Sequence, residues 1–146
     1  MSDEISIKKI LLPIDGSEVS LRAAKFAIKI AKTEKSKIIC IHAICTPTYI
    51  PGNASPASYY LEARKLAEIW LGHAVELARK EGVDLSTEIV VDAASAVDAI
   101  ANYAANEDAD LIVIGTRGRT GVKRFLLGSV ANGVVMHAEC PVLVVR

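Results

Sequence analysis

The sequence predicts an α/β fold: an open, mostly parallel sheet with helices on both faces. Short apolar runs alternate with longer stretches of helical periodicity, and turn-forming residues fall at the joints between them. The runs are also apolar at successive positions rather than at every second one, as strands covered on both faces require. At 146 residues the chain has the size of one domain, residues 1–146, large enough to bury roughly 68–70% of the surface its unfolded form exposes.

The elements follow in order. Ile7 to Ile14 reads as a buried strand, stopped by Asp15-Gly16-Ser17, where a helix begins that presents Ala23, Phe26, Ala27, Ile30 and Ala31 at helical spacing. Lys37 to Cys45, β-branched and apolar, is a second central strand. Thr46 to Ser58 holds Pro47, Pro51 and Pro56 with Gly52 and Asn53, so neither helix nor strand is expected to run through it. A long helix from about Ala57 to Gly82 places Ala63, Leu66, Ala67, Trp70, Ala74, Leu77 and Ala78 on one face and ends at a glycine suited to a C-terminal cap. Leu85 to Val91 is a third strand, and Ser95-x-x-Asp98 resembles a capping box opening a helix through Val97, Ile100, Ala101 and Ala104. Asp110 to Ile114 is the fourth strand, Ser129 to Ala138 a short helix, and Pro141 to Val145 a fifth strand. Right-handed crossovers reduce the possible topologies to a few.

Composition excludes several functions. The 17 cations and 17 acids cancel, giving no electrostatic reason to expect nucleic acid or a membrane surface as partner. The first residues are polar and acidic, and no apolar run approaches the roughly 20 residues of a membrane span, so a cytoplasmic location is expected. Cys40, Cys45 and Cys140 cannot all pair within one chain and none lies in a C-x-x-C arrangement, so free thiols are expected. His137-x-x-Cys140 offers two ligands without the others that a tetrahedral metal site needs.

In sheets of this kind ligands sit beyond the carboxyl ends of the strands, where the strand order reverses. That directs attention to Asp15, to the loop after Ile44, and to the stretch after Ile114, GTRGRTGVKRFLLGSV from Gly115. No acid lies between Leu111 and Ala138, while Arg117, Arg119, Lys123 and Arg124 supply positive charge. Glycine permits backbone angles that a side chain forbids and lets main-chain N–H groups approach a phosphate. Ser129 adds a hydroxyl beside the free N–H groups at the positive end of a helix dipole. Glycine, hydroxyl, dipole and arginine together fit a polyphosphate; glycines that merely cap a strand and a helix among solvated cations are the plainer alternative. The loop is neither a P-loop nor a G-x-G-x-x-G turn. Asp15, at the tip of the first strand, can accept hydrogen bonds from a base or sugar, or can cap the first helix.

Gly115-x2-Gly118-x9-Gly128-Ser129 resembles the G-x2-G-x9-G-[ST] signature of the universal stress protein family, in its ATP-binding branch. The resemblance runs through the chain, including Pro13-x-Asp15-Gly16-Ser17, the strand ending Ile41-His42-Ala43-Ile44, and Cys140 to Val145. It implies a Rossmann-like, five-stranded parallel sheet of order 3-2-1-4-5, with ATP and Mg2+ lying across the ends of strands one and four. By position, Asp15 would face the adenine, Pro13 and Ala43 would line the base pocket, and Ile114 and Gly115 would lie near base and ribose. Gly118, Gly128, Ser129 and Val130 would hold the phosphates through main-chain N–H groups and the serine hydroxyl, with Arg117 among the surrounding cations. One departure is Ala94-Ser95-Ala96, where the family often has G-x-P.

The resemblance further implies a homodimer and a nucleotide-dependent regulatory switch in stress response, read by a protein partner that the sequence does not name. An apolar edge strand from Val142 to Val145 calls for a cover, which a second copy would supply about a two-fold axis. A slow ATPase and a dimeric scaffold without nucleotide are the alternatives. Ser20, His137 and Cys140 form no recognisable nucleophile and base set, so no catalytic residue is assigned.

Overall fold

The computed structural model describes residues 4–50, 52, 54–116 and 127–146, and within them the expected alternation is realised. The elements are β1 (Lys9–Pro13), α1 (Glu18–Glu34), β2 (Lys37–Cys45), α2 (Pro56–Lys80), β3 (Leu85–Ala93), α3 (Ala96–Asn106), β4 (Leu111–Gly115), α4 (Ser129–His137) and β5 (Val142–Val145). The sheet runs β3-β2-β1-β4-β5 with every neighbouring pair parallel, the order implied by the resemblance.

Successive strand residues point to opposite faces, so a strand covered on both sides must be apolar throughout. In β1, Ile10 and Leu12 pack with Ala23, Ala27 and Ile28 of α1 and Leu71 and Ala74 of α2. Leu11, between them, faces the other core with Ile100 and Ala104 of α3 and Val134 of α4. The small buried side chains of α1, Ala23, Ala24, Ala27 and Ala31, let that helix lie close on the sheet. Phe26 and Leu66, expected on the core faces of their helices, are instead 43% and 40% exposed. The faces that meet the core are made largely of alanine, and the two larger residues fall outside that arc.

Serine opens three of the helices. Ser17, Ser55 and Ser95 each accept a hydrogen bond from the N–H three residues on, satisfying a donor that the first turn would otherwise leave free. Pro56, read as part of the long loop, is the first residue of α2; its missing N–H costs nothing there, and the loop ends at Ser55. Gly82 takes φ +68° just past α2, as its place after the helix required. β3 runs on to Ala93, past the expected end at Val91, because pairing with β2 continues through a shift in register beside Ile44 and Cys45. At the amino ends of the strands, one oxygen of Asp110 accepts the N–H groups of Lys8 and Lys9 at 2.8 and 2.9 Å.

Candidate functional site

β1 keeps register with β2 as far as Pro13 opposite Ile41, but its pairing with β4 covers only Ile10 with Leu111 and Leu11 with Ile112. Beyond Leu11 the carboxyl ends of β1 and β4 therefore separate, at the point where the strand order reverses. Pro13 sits at that divergence, where a residue without an N–H leaves no donor unsatisfied. Between the parted strands lies a cleft of about 780 Å³, part of it open to solvent.

Pro13, Asp15, Ala43, Ile114, Gly115, Gly128, Ser129 and Val130 all line this cleft. The sequence placed them in four separate segments; the fold brings them to one opening. Arg117 and Gly118, with Arg119, Lys123 and Arg124, lie outside the described residues. The cleft is also lined by residues that the sequence reading did not single out for it, chiefly Ser20, His42, Ile100, Thr116 and Ala131. Thr116 follows Gly115 directly, a signal of position that was available. His42 was hidden by strand alternation, which sets neighbours on opposite faces; it shares the cleft with Ala43 because β2 outlasts β1 there.

The turn after β1 gives the cap of α1 to Ser17 and not to Asp15. One carboxylate oxygen accepts the Ser17 N–H at 2.9 Å, while the cap of α1 is Ser17, whose Oγ accepts from Ser20 N at 3.1 Å. Ser20 Oγ donates to the Ser17 carbonyl at 2.9 Å and accepts from Asp15 N at 3.4 Å. Among the described residues the second Asp15 oxygen has no partner, and it belongs to a residue lining the cleft. Asp15 thus shapes the turn with one oxygen and keeps the other.

Gly115 is not in the left-handed region, so its backbone alone would accept any residue. Its demand is steric: a Cβ there would stand 2.7 Å from Val19 Cγ1 and 3.2 Å from the Val19 main chain. The close seat of α1 on the end of β4 is what requires glycine. Gly128, with φ −62° and ψ 159°, is the N-cap of α4, so Ser129 is the first helical residue and, among the described residues, no side chain caps the turn. The Gly128 N–H donates to the Thr116 carbonyl at 2.6 Å, which engages within the protein a donor that the resemblance had directed at phosphate. The first bond within α4 is Asn132 N–H to the Gly128 carbonyl, leaving the N–H groups of Ser129, Val130 and Ala131 without helical acceptors.

The cleft therefore combines apolar walls, a carboxylate oxygen to spare, and uncapped N–H groups at the positive end of a helix. Those groups, with the Ser129 hydroxyl, fit an anion such as a phosphate; Asp15 fits a hydrogen-bond donor on a base or sugar. Among the described residues no three His, Cys, Asp or Glu side chains are grouped to hold a metal ion, and no helix is long and apolar enough to cross a membrane.

Comparison with known proteins gives a consistent result. The model of the universal stress protein family matches residues 6–146. A universal stress protein of Methanocaldococcus jannaschii is 40% identical over 142 residues, which span 95% of this chain and 82% of that protein. The universal stress protein UspA from Lactobacillus plantarum has a similar structure, with a TM-score of 0.74 at 26% identity over 98% of this chain and 100% of that one. A universal stress protein solved in complex with cAMP gives a TM-score of 0.73 at 30% identity, over 95% and 97% of the two chains.

Proposed function

The chain belongs to the universal stress protein family, and on that footing we propose that it is a cytoplasmic, ATP-binding regulatory protein of the stress response. The observation that carries this reading is the meeting, in one cleft, of the uncapped first turn of α4 with the spare oxygen of Asp15. The adenine lies against Pro13 and Ala43 with Asp15 at its edge, and the ribose passes Ile114 and Gly115. The phosphates, with Mg2+, meet Ser129 and Val130 at the start of α4, with Arg117 and Gly118 as further ligands. Gly128 serves by leaving the turn uncapped. The structural neighbour in complex with cAMP, an adenine nucleotide, supports the choice of base and of an anionic group.

A switch accounts for the lining better than efficient hydrolysis does. Phosphoryl transfer to water needs a group that positions the water and a means of neutralising charge at the γ-phosphate. Among the described residues the one carboxylate lining the cleft is Asp15, on the base side of this pose. Nucleotide occupancy changes a surface that a protein partner reads. Residues 1–146 act as one nucleotide-binding domain, and two copies pair through β5, whose Val142, Leu143 and Val144 are only half-buried at the sheet edge.

The test is isothermal titration of nucleotide-stripped protein with ATP and magnesium, with released phosphate assayed in the same sample. Saturable binding with little turnover is expected, and weakening of at least about tenfold in a folded Gly118→Val variant, as loss of a close main-chain contact to phosphate would give. No binding at millimolar ATP would overturn the reading in favour of a dimeric scaffold. An unaltered affinity in Gly118→Val would remove the glycine loop from the site.

A further inference from the structure

The end of the β1–β2 ladder contains a substitution of one hydrogen-bond donor for another. Ile14 N–H donates to the Ile41 carbonyl at 2.9 Å, so Ile14 still faces β2. Continuing a parallel ladder would bring the Ala43 N–H to the Ile14 carbonyl. The register instead stops at Pro13 opposite Ile41, and the Ile14 carbonyl is bonded to Nδ1 of His42 at 2.7 Å. A carbonyl only accepts, so Nδ1 carries the proton. The ring is held from a second side by Trp70, edge-on at 5.1 Å between centroids. Ile38 N–H points toward β3, to the Asp84 carbonyl, and strand alternation turns the N–H of Ala43, five residues on, toward β1. Among the described residues that N–H has no main-chain acceptor, and Ala43 lines the cleft.

We propose that His42 is a positioning residue for base selection: by occupying the Ile14 carbonyl, it leaves the Ala43 N–H to donate to a ring acceptor of the bound base. The inference rests on the nucleotide reading above and deepens it. A main-chain donor in the plane of the base favours a purine with a lone pair at N1, as adenine has. It disfavours one whose N1 carries hydrogen, as hypoxanthine does, because two donors then meet without an acceptor. When the His42 donor is removed, the Ile14 carbonyl takes back the Ala43 N–H and the preference is lost.

The experiment compares ATP with inosine triphosphate, which differ at the base alone, on the intact chain. The wild type is expected to bind ATP at least about tenfold more tightly. His42→Phe keeps a ring beside Trp70 but no donor, and should bring the ratio of affinities close to one. His42→Asn retains an N–H near the position of Nδ1 and should preserve most of the preference. General destabilisation would weaken both nucleotides together and leave the ratio alone. An unchanged ratio in His42→Phe, an equal loss in His42→Asn, or no preference in the wild type would each overturn the inference while nucleotide binding stood. Failure of the wild type to bind either nucleotide would overturn both. Should His42→Phe not fold, amide exchange in the wild type decides. The Ala43 N–H should exchange faster than that of Ile41 in the free protein and slow when ATP is added, and equal protection in both states would refute the assignment.

Discussion

Gly16 meets two separate demands, and each excludes a side chain. Its φ of +84° lies in the left-handed region, and a Cβ would stand 2.2 Å from Cε2 of the Trp70 indole. Gly16→Ala is therefore expected to cost about 1–3 kcal/mol from the backbone alone, with displacement of the indole added. Urea unfolding measures the loss, and ATP affinity should fall with it because Asp15 is the next residue. Cys40 illustrates a different residue-scale effect: full burial pushes its thiol from the ordinary 9.0 to about 12. Between those values the folded thiol keeps a proton that the unfolded chain has released, so stability falls as pH rises through that window. Wild-type protein should lose stability between pH 9 and 12 more steeply than Cys40→Ala, compared by unfolding midpoints. At pH 8, iodoacetamide should label the half-buried Cys45 and Cys140 before Cys40.

Elements meet closely where glycine allows it, and α3 against α4 is the clearest case. A Cβ at Gly133 would come within 2.5 Å of Val97 Cγ2 and 3.0 Å of Val97 Cγ1. Helix propensity favours alanine over glycine by about 0.5–1 kcal/mol. Overpacking of this kind costs about 1–3 kcal/mol, so the steric term should win and Gly133→Ala should be net destabilising. Combining it with Val97→Ala should cost less than the sum of the two single changes, which a double-mutant cycle reads directly. The contact also bears on the site, because α4 carries the uncapped turn and α3 supplies Ala96 and Ile100 to the cleft. A shift of α4 should weaken ATP binding in the same variant.

For the whole molecule, ligand binding and assembly are the measurable properties. A nucleotide that binds only the folded chain adds about 2.7 kcal/mol at a hundredfold excess over its Kd. In a protein of this size that should raise the melting temperature by about 5–10 °C in a thermal shift assay. Pairing through β5 predicts that Val144→Lys, which places a charge on the sheet edge, yields monomers by light scattering. A wild type that is monomeric at all concentrations would end the dimer proposal.

The alternation of strands and helices was legible in the sequence because each central strand must satisfy two cores at once, and that leaves an unbroken apolar run such as Ile10-Leu11-Leu12. The serine cap of α3 and the glycine after α2 were legible for the same kind of reason, since their geometry is local. The glycine and serine spacing pointed to the segment that ends at α4, and the strand tip pointed to Asp15. What these residues do depended on partners distant in sequence. Gly115 is glycine because Val19 lies on it, Gly128 gives its N–H to Thr116, and His42 acts on Ile14 from the next strand. The cleft itself exists because β1 leaves β4 after two paired residues while staying with β2 for longer. Periodicity and turn chemistry are written within a few residues of one another, and the sequence determined fold class and candidate segments on that basis. The point at which neighbouring strands stop pairing is set by contacts across the whole sheet, so only the tertiary structure decided which N–H groups are free.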